Sequence, residues 1–166
     1  MILRALAIVV LAFTPVSFAA PAFQLNDLVG AWEHGLNYTE LPDGSHFEQF
    51  PGQRGMLVIL PDGRYIHGVI GADLPKVASG NIKEQTTEEA KALAGGTLLH
   101  FGTWTANPDK GTFTVKIERS SFPNFDGRDQ VRQVLSLDKQ RLEYINHLSS
   151  AGDGAKVYVE LHRIGK

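Results

Sequence analysis

The sequence predicts an all-β protein, eight antiparallel strands closed into a barrel, with one short helix. Three observations lead there. Short runs alternate apolar and polar residues with the period of a half-buried strand. The clearest sets Phe113, Val115 and Ile117 against Thr112, Thr114, Lys116 and Glu118. Turn sequences such as Pro61-Asp-Gly63 and Asn107-Pro-Asp-Lys-Gly111 separate neighbouring runs by hairpin-length gaps. Only one stretch, residues 86–96, has the start and stop signals of a helix of more than one turn. Closing eight such strands removes exposed edges and leaves an interior able to hold one small ligand.

The chain opens with a short basic segment, Met1 to Arg4, then an apolar run to Phe18. Small residues at Ser17, Ala19, Ala20 and Ala22 follow. This order reads as a secretory signal peptide over residues 1–19, with cleavage as late as 22. The run is shorter than the roughly 20 residues a spanning helix needs. No membrane span is expected after its removal, and the expected location is secreted or periplasmic. Residues 23–166 then form one domain, large enough to bury a core without staples. The sequence contains no cysteine, so no disulfide or thiolate chemistry is expected. Its formal net charge is −2, and residues 1–20 hold Arg4 and no acid, so their loss makes it −3. There is no basic stripe to neutralise phosphates, so nucleic acid is not an expected partner.

Taken in order, Asn26 or Asp27 caps a helical turn, and Gly30 lets the chain turn sharply. Residues 32–38 form the first strand, with Trp32, His34, Leu36 and Tyr38 on one face. Leu41-Pro-Asp-Gly44 is a turn. Residues 56–60 and 64–70 make a hairpin. Thr86-Thr-Glu-Glu89 has the form of a capping box, and Gly95 and Gly96 end the helix it starts. That helix lies across a barrel mouth or, as favoured, on the outer wall. Strands follow at 98–105, 112–118, 130–137, 141–148 and 156–164, with a loop at 120–127.

Gly30-Ala31-Trp32 resembles the Gly-x-Trp opening of lipocalins and other calycins. That resemblance implies a structural role for Trp32 as a plug at the closed end, with Arg163 packed over it. Four more stretches extend the likeness: Leu60-Pro-Asp-Gly-Arg64, His100-Phe-Gly-Thr-Trp104, Ser121-Phe-Pro-Asn-Phe-Asp-Gly127, and Val131-Arg132. With Leu28-Val-Gly-Ala-Trp32 before them, in this order, they resemble the lipocalin-like domain of many bacterial and fungal proteins. The likeness covers nearly all of the mature chain and implies a small calycin-type barrel without a firm activity. Many members have histidine where this chain has Val115 or Lys116, so chemistry resting on that histidine is not available here.

No complete catalytic motif stands out, and the catalytic residues are unknown. The candidate ligand-binding residues are His34, Tyr65, His67, His100, Trp104, Arg132 and Tyr144. His34, His67 and His100 sit on strands that a barrel brings close. Facing inward, they form an acid/base pair or a metal site; otherwise they satisfy buried polar groups or face water. No histidine pair has the spacing of a known metal motif, and neither metal nor cofactor is expected. Arg132 either reaches inward to an acidic ligand group or faces solvent. The aromatic residues with polar tips suit a cavity wall, Tyr158 among them. The favoured function is a monomeric, exported protein binding a small apolar or amphipathic molecule. The alternative is a cofactor-free isomerase, cyclase or hydratase using the same cavity. A third class is a barrel filled by its own side chains. Burying about 300 Å² of apolar ligand gains roughly 7–8 kcal/mol, and association costs at least about 4 kcal/mol. Apolar contact alone is therefore millimolar or weaker, and tight binding needs polar contacts.

The exported protein is expected to begin near Ala20 or Phe23. N-terminal sequencing checks this, and a membrane-bound form retaining Met1 would overturn it.

Overall fold

A single sheet wraps round until its first and last long strands pair. The computed structural model describes residues 23–165; the expected signal peptide lies outside them. A turn of helix, α1 (Leu25–Leu28), leads into β1 (Gly30–Glu40) and a two-residue strand, β2 (His46–Phe47). Then come β3 (Arg54–Ile59), β4 (Arg64–Ile70), the helix α2 (Thr87–Gly95), and β5 (Thr97–Asn107). The chain ends with β6 (Thr112–Ser120), β7 (Asp129–Leu137), β8 (Arg141–Asn146) and β9 (Lys156–Ile164). Sheet order is β2-β1-β3-β4-β5-β6-β7-β8-β9, and β1 also pairs antiparallel with β9. This is a closed eight-stranded antiparallel barrel with one extra strand, as the alternating runs predict. Among the described residues no helix is long and apolar enough to cross a membrane.

The extra strand was not expected and has a simple cause. β3 pairs only with Gly30 to Glu33 of the long β1. The far end of β1 would otherwise keep a bare edge, and β2 covers it at Thr39 and Glu40. Residues 34–38 of β1 have no strand partner on that side.

The one face expected for Trp32, His34, Leu36 and Tyr38 holds for the first two, which are buried, and breaks beyond them. Pairing with β9 steps from His34↔Leu161 to Asn37↔Val159, so β1 has one residue too many there. That bulge flips every later side chain to the other face. Thr39 is buried, whereas Leu36 is 75% exposed and Tyr38 is 40% exposed. Tyr38 stacks on Tyr158, with ring centroids 4.6 Å apart. In β6 the expected alternation holds throughout, with Phe113, Val115 and Ile117 fully buried.

The cap of α1 also differs. The cap position is Gln24, and Asp27 sits three residues on, its carboxylate accepting from the Gln24 N–H at 2.7 Å. In α2 the capping box forms as predicted. Thr86 Oγ1 accepts from the Glu89 N–H at 3.2 Å, and Glu89 Oε2 accepts from the Thr86 N–H at 2.8 Å. No residue of α2 is buried, so the helix lies outside the barrel.

The closed end is built on Trp32, which is fully buried. Its indole N–H donates to the Leu28 carbonyl at 2.9 Å. The Arg163 guanidinium lies 3.9 Å above its ring centroid. Arg163 also donates to the carbonyls of Asp27, Val29 and Lys139. Gly30 makes this approach possible, because a Cβ there would lie 2.6 Å from Arg163 Nη1. Trp32→Ala is expected to destabilise the fold by about 3–5 kcal/mol, as truncated buried aromatics do. Urea unfolding measures it; an unchanged midpoint would overturn the plug role.

Candidate functional site

Strand alternation places the polar residues of the interior. Tyr65, His67 and Val69 point inward from β4, and His100 and Trp104 from β5. The two strands pair His67 directly with His100. Gln130, Arg132 and Val134 point inward from β7, opposite Tyr144 and Asn146 of β8. His34 enters from β1 just where the strand loses its partner.

Between them lies a cavity of about 260 Å³. That is just below the 300–1,000 Å³ of ordinary ligand pockets, room for a molecule smaller than a drug-sized one. Five of the seven candidate ligand-binding residues line it: His34, His67, His100, Arg132 and Tyr144. Tyr65 stands behind His100. Trp104 sits in the core and donates its indole N–H to the Leu60 carbonyl at 2.9 Å. Apolar wall comes from Val69, Leu98, Phe125, Val157 and Val159. The loop before β3 and the loop between β8 and β9 complete the wall. Gln49 joins them, donating to Ser150 Oγ at 2.7 Å.

The three histidines touch one another. His34 Nε2 lies 2.8 Å from His67 Nε2, and His67 Nδ1 lies 2.9 Å from His100 Nε2. His100 Nδ1 is 2.9 Å from the Tyr65 hydroxyl, and Asn37 Nδ2 is 2.8 Å from His34 Nδ1. A neutral imidazole donates at one nitrogen and accepts at the other, so one end of the chain fixes every proton in it. Asn37 Oδ1 accepts from the Glu160 N–H at 3.2 Å, which turns the amide NH₂ toward His34. His34 therefore accepts at Nδ1 and donates from Nε2 to His67. His67 donates from Nδ1 to His100, and His100 donates from Nδ1 to the Tyr65 oxygen. All six ring nitrogens are engaged, and no imidazole lone pair is left to take a proton. The nitrogens face one another, not a common point. Among the described residues no three His, Asp or Glu side chains have metal-ligand geometry.

Burial pushes His34 and His100 down to about 3, and the positive charge of Arg132 pushes the same way. His67 is driven well below the ordinary histidine range by burial first, then by the neighbouring histidines and Arg132. Burial raises Tyr65 and Tyr144, against the pull of Arg132. All of these groups are neutral near pH 7.

Arg132 is the inward-facing alternative of the two its position allowed. It is 1% exposed. Nη1 donates to the Tyr144 hydroxyl and Nη2 to Gln130 Oε1, both at 3.2 Å. Its Nε has no partner. Sequence reasoning missed Asn37, which the bulge moves out of the simple alternation. It also missed Gln130, readable as two residues from Arg132 on one strand face. Phe125, in the stretch the sequence reads as loop, is 3% exposed in a 3₁₀ turn at Pro123–Phe125.

A family model described as a lipocalin-like domain matches residues 29–162. The chain belongs to that lipocalin-like domain family. No curated protein matches it in sequence. Among solved structures it is similar to a lipocalin-like protein from Bacteroides uniformis, at 14% identity and a TM-score of 0.44, covering 83% of this chain and 99% of that one. It is also similar to bovine odorant binding protein complexed with its natural ligand, at 13% identity and a TM-score of 0.45, covering 87% and 76%. A biogenic amine-binding protein aligns at 11% identity and a TM-score of 0.47, covering 92% and 72%.

The buried histidines give a signed pH dependence. Unfolded, each takes up a proton near pH 6.5; folded, His34 and His100 resist it down to about pH 3. The unfolded chain thus binds more protons across that window, and stability falls as pH falls. The full contribution is present above about pH 6.5. Each buried histidine is expected to cost up to about 1.4 kcal/mol per pH unit below that. Urea midpoints taken from pH 7 to pH 4.5 measure the slope. His67→Gln is expected to flatten it, and an equal slope in both proteins would overturn the assignment.

Proposed function

We propose that this lipocalin-like protein is an exported, monomeric carrier whose barrel cavity holds one small amphipathic molecule. The observation that carries this reading is the cavity itself: an apolar wall and buried polar groups lining one space. The ligand's apolar body packs against Leu98, Val157 and Val159, and its polar group turns toward Arg132. A barrel filled by its own side chains would have no such space. Export is supported by the basic, apolar, small-residue order at the start of the sequence.

One observation favours a second reading, a cofactor-free isomerase, cyclase or hydratase. Four titratable side chains converge within hydrogen-bond reach of one another. A general base, however, needs a lone pair facing its substrate. In this chain of bonds each imidazole lone pair is already accepting. The fixed proton order supports binding without turnover.

Mass spectrometry of molecules that co-purify with the folded protein identifies the ligand. Incubating it with wild type, His67→Ala and His100→Ala then separates the readings. The expected outcome is intact ligand in all three, because every ring nitrogen is already bonded within the chain of histidines and none is free to act on the ligand. Conversion by wild type that either variant abolishes would establish the enzyme instead.

A further inference from the structure

Among the described residues the barrel interior holds one formal charge and no counter-charge. Arg132 is the only buried residue there that is charged at neutral pH. The ion pairs of the described residues use Glu40, Glu118, Asp126, Glu143 and Glu160, and none reaches Arg132. Its present partners are neutral and loosely held: the Tyr144 hydroxyl and Gln130 Oε1, each at 3.2 Å. The faces of Tyr144 and Phe113 lie 5.0 and 5.5 Å from the guanidinium carbon. Nε is enclosed and bonded to nothing.

A guanidinium does not give up its proton to escape burial. Nor can its neighbours balance it. Protonating His34, His67 or His100 would add a like charge, and burial holds Tyr65 and Tyr144 as neutral phenols. Glu48 also lines the cavity, but it is exposed in the loop before β3 and forms none of these ion pairs, so a counter-charge seated at Arg132 inside the barrel comes from outside the chain. The cavity that Arg132 lines is about 260 Å³ and has an apolar wall from Val69, Leu98, Val157 and Val159.

We propose that the ligand of this cavity is a small monocarboxylate with an apolar body, its carboxylate seated against Arg132. This rests on the reading of the cavity as a small-molecule site and names the class of molecule. A carboxylate matches the single positive charge one for one. Its two oxygens match the fork of the guanidinium, whose five N–H groups include only two that are bonded, both to replaceable neutral acceptors. A phosphate dianion would leave a buried negative charge in place of the positive one. A neutral ligand would leave the guanidinium as it is.

The test compares three probes of one shape at pH 7 by titration calorimetry: 4-phenylbutyrate, 4-phenyl-1-butanol and 4-phenylbutylamine. Wild type is expected to bind the acid about tenfold or more tightly than the alcohol, and the amine weakest, as a charged hydrogen bond against a neutral one implies. In Arg132→Met the acid and alcohol should come within about twofold of each other, and Arg132→Lys should keep part of the preference. Wild type decides without any variant: an alcohol that binds as well as the acid overturns the proposal and leaves the small-molecule reading standing. An acid preference that survives in Arg132→Met overturns the assignment to Arg132. Binding of none of the three overturns both readings.

Discussion

The structure depends on the closure of β1 against β9, and on the stack of Arg163 over Trp32 that fastens it. Among the described residues β1 is the only strand with three partners. It takes β3 on one edge, β9 on the other, and β2 at its far end. Arg163, near the end of β9, reaches back to the backbone carbonyls of Asp27 in α1 and of Val29 just after it. First and last elements are thereby held by a charged donor on neutral acceptors, over a ring whose own N–H is satisfied by Leu28. Such contacts are far apart in sequence and costly in loop entropy to form. Once made, they leave the barrel no long open edge.

The same strand shapes the site. With β3 leaving β1 after Glu33, the segment at 34–38 is free to bulge, and the bulge brings Asn37 to His34. Asn37 also takes the Glu160 N–H from β9. A backbone donor of the closing strand therefore sets the proton order along His34, His67 and His100. Five donors serve the four links of that chain, and the proton left over is the hydroxyl proton of Tyr65. Three buried imidazoles would be costly if unpaired; bonded in one direction they are satisfied, and the interior stays rigid.

Much of the fold was legible in the sequence, because period-two alternation and turn residues act locally. Phe113, Val115 and Ile117 announce their strand by themselves, and the capping box of α2 lies within four residues. The bulge in β1 was not legible. Nothing in Leu36, Asn37 or Tyr38 marks an extra residue; it follows from the register with β9, more than a hundred residues away. The pairing of His67 with His100 was foreseen as a possibility of barrel closure, but their direct bond depends on strand register. Tyr65 and Trp104 share the inward faces of those strands, yet depth along the barrel axis keeps them out of the cavity wall. Alternation gives the face and says nothing about the depth.

Under the proposed ligand-binding reading, the affinity of so small a cavity turns on when desolvation is paid for. Apolar contact in about 260 Å³ is too little for tight binding once association is counted. A polar contact helps only if its own loss of water does not cancel it. At Arg132 that loss has already occurred on folding, since the side chain is 1% exposed before anything binds. The incoming group meets a guanidinium stripped of water, held in place by Tyr144 and Gln130, and seated against two aromatic faces. Only the ligand's own dehydration remains as a cost. A charge that is unfavourable for the empty barrel is in this way favourable for the filled one, and the difference between the two states is what a ligand can use.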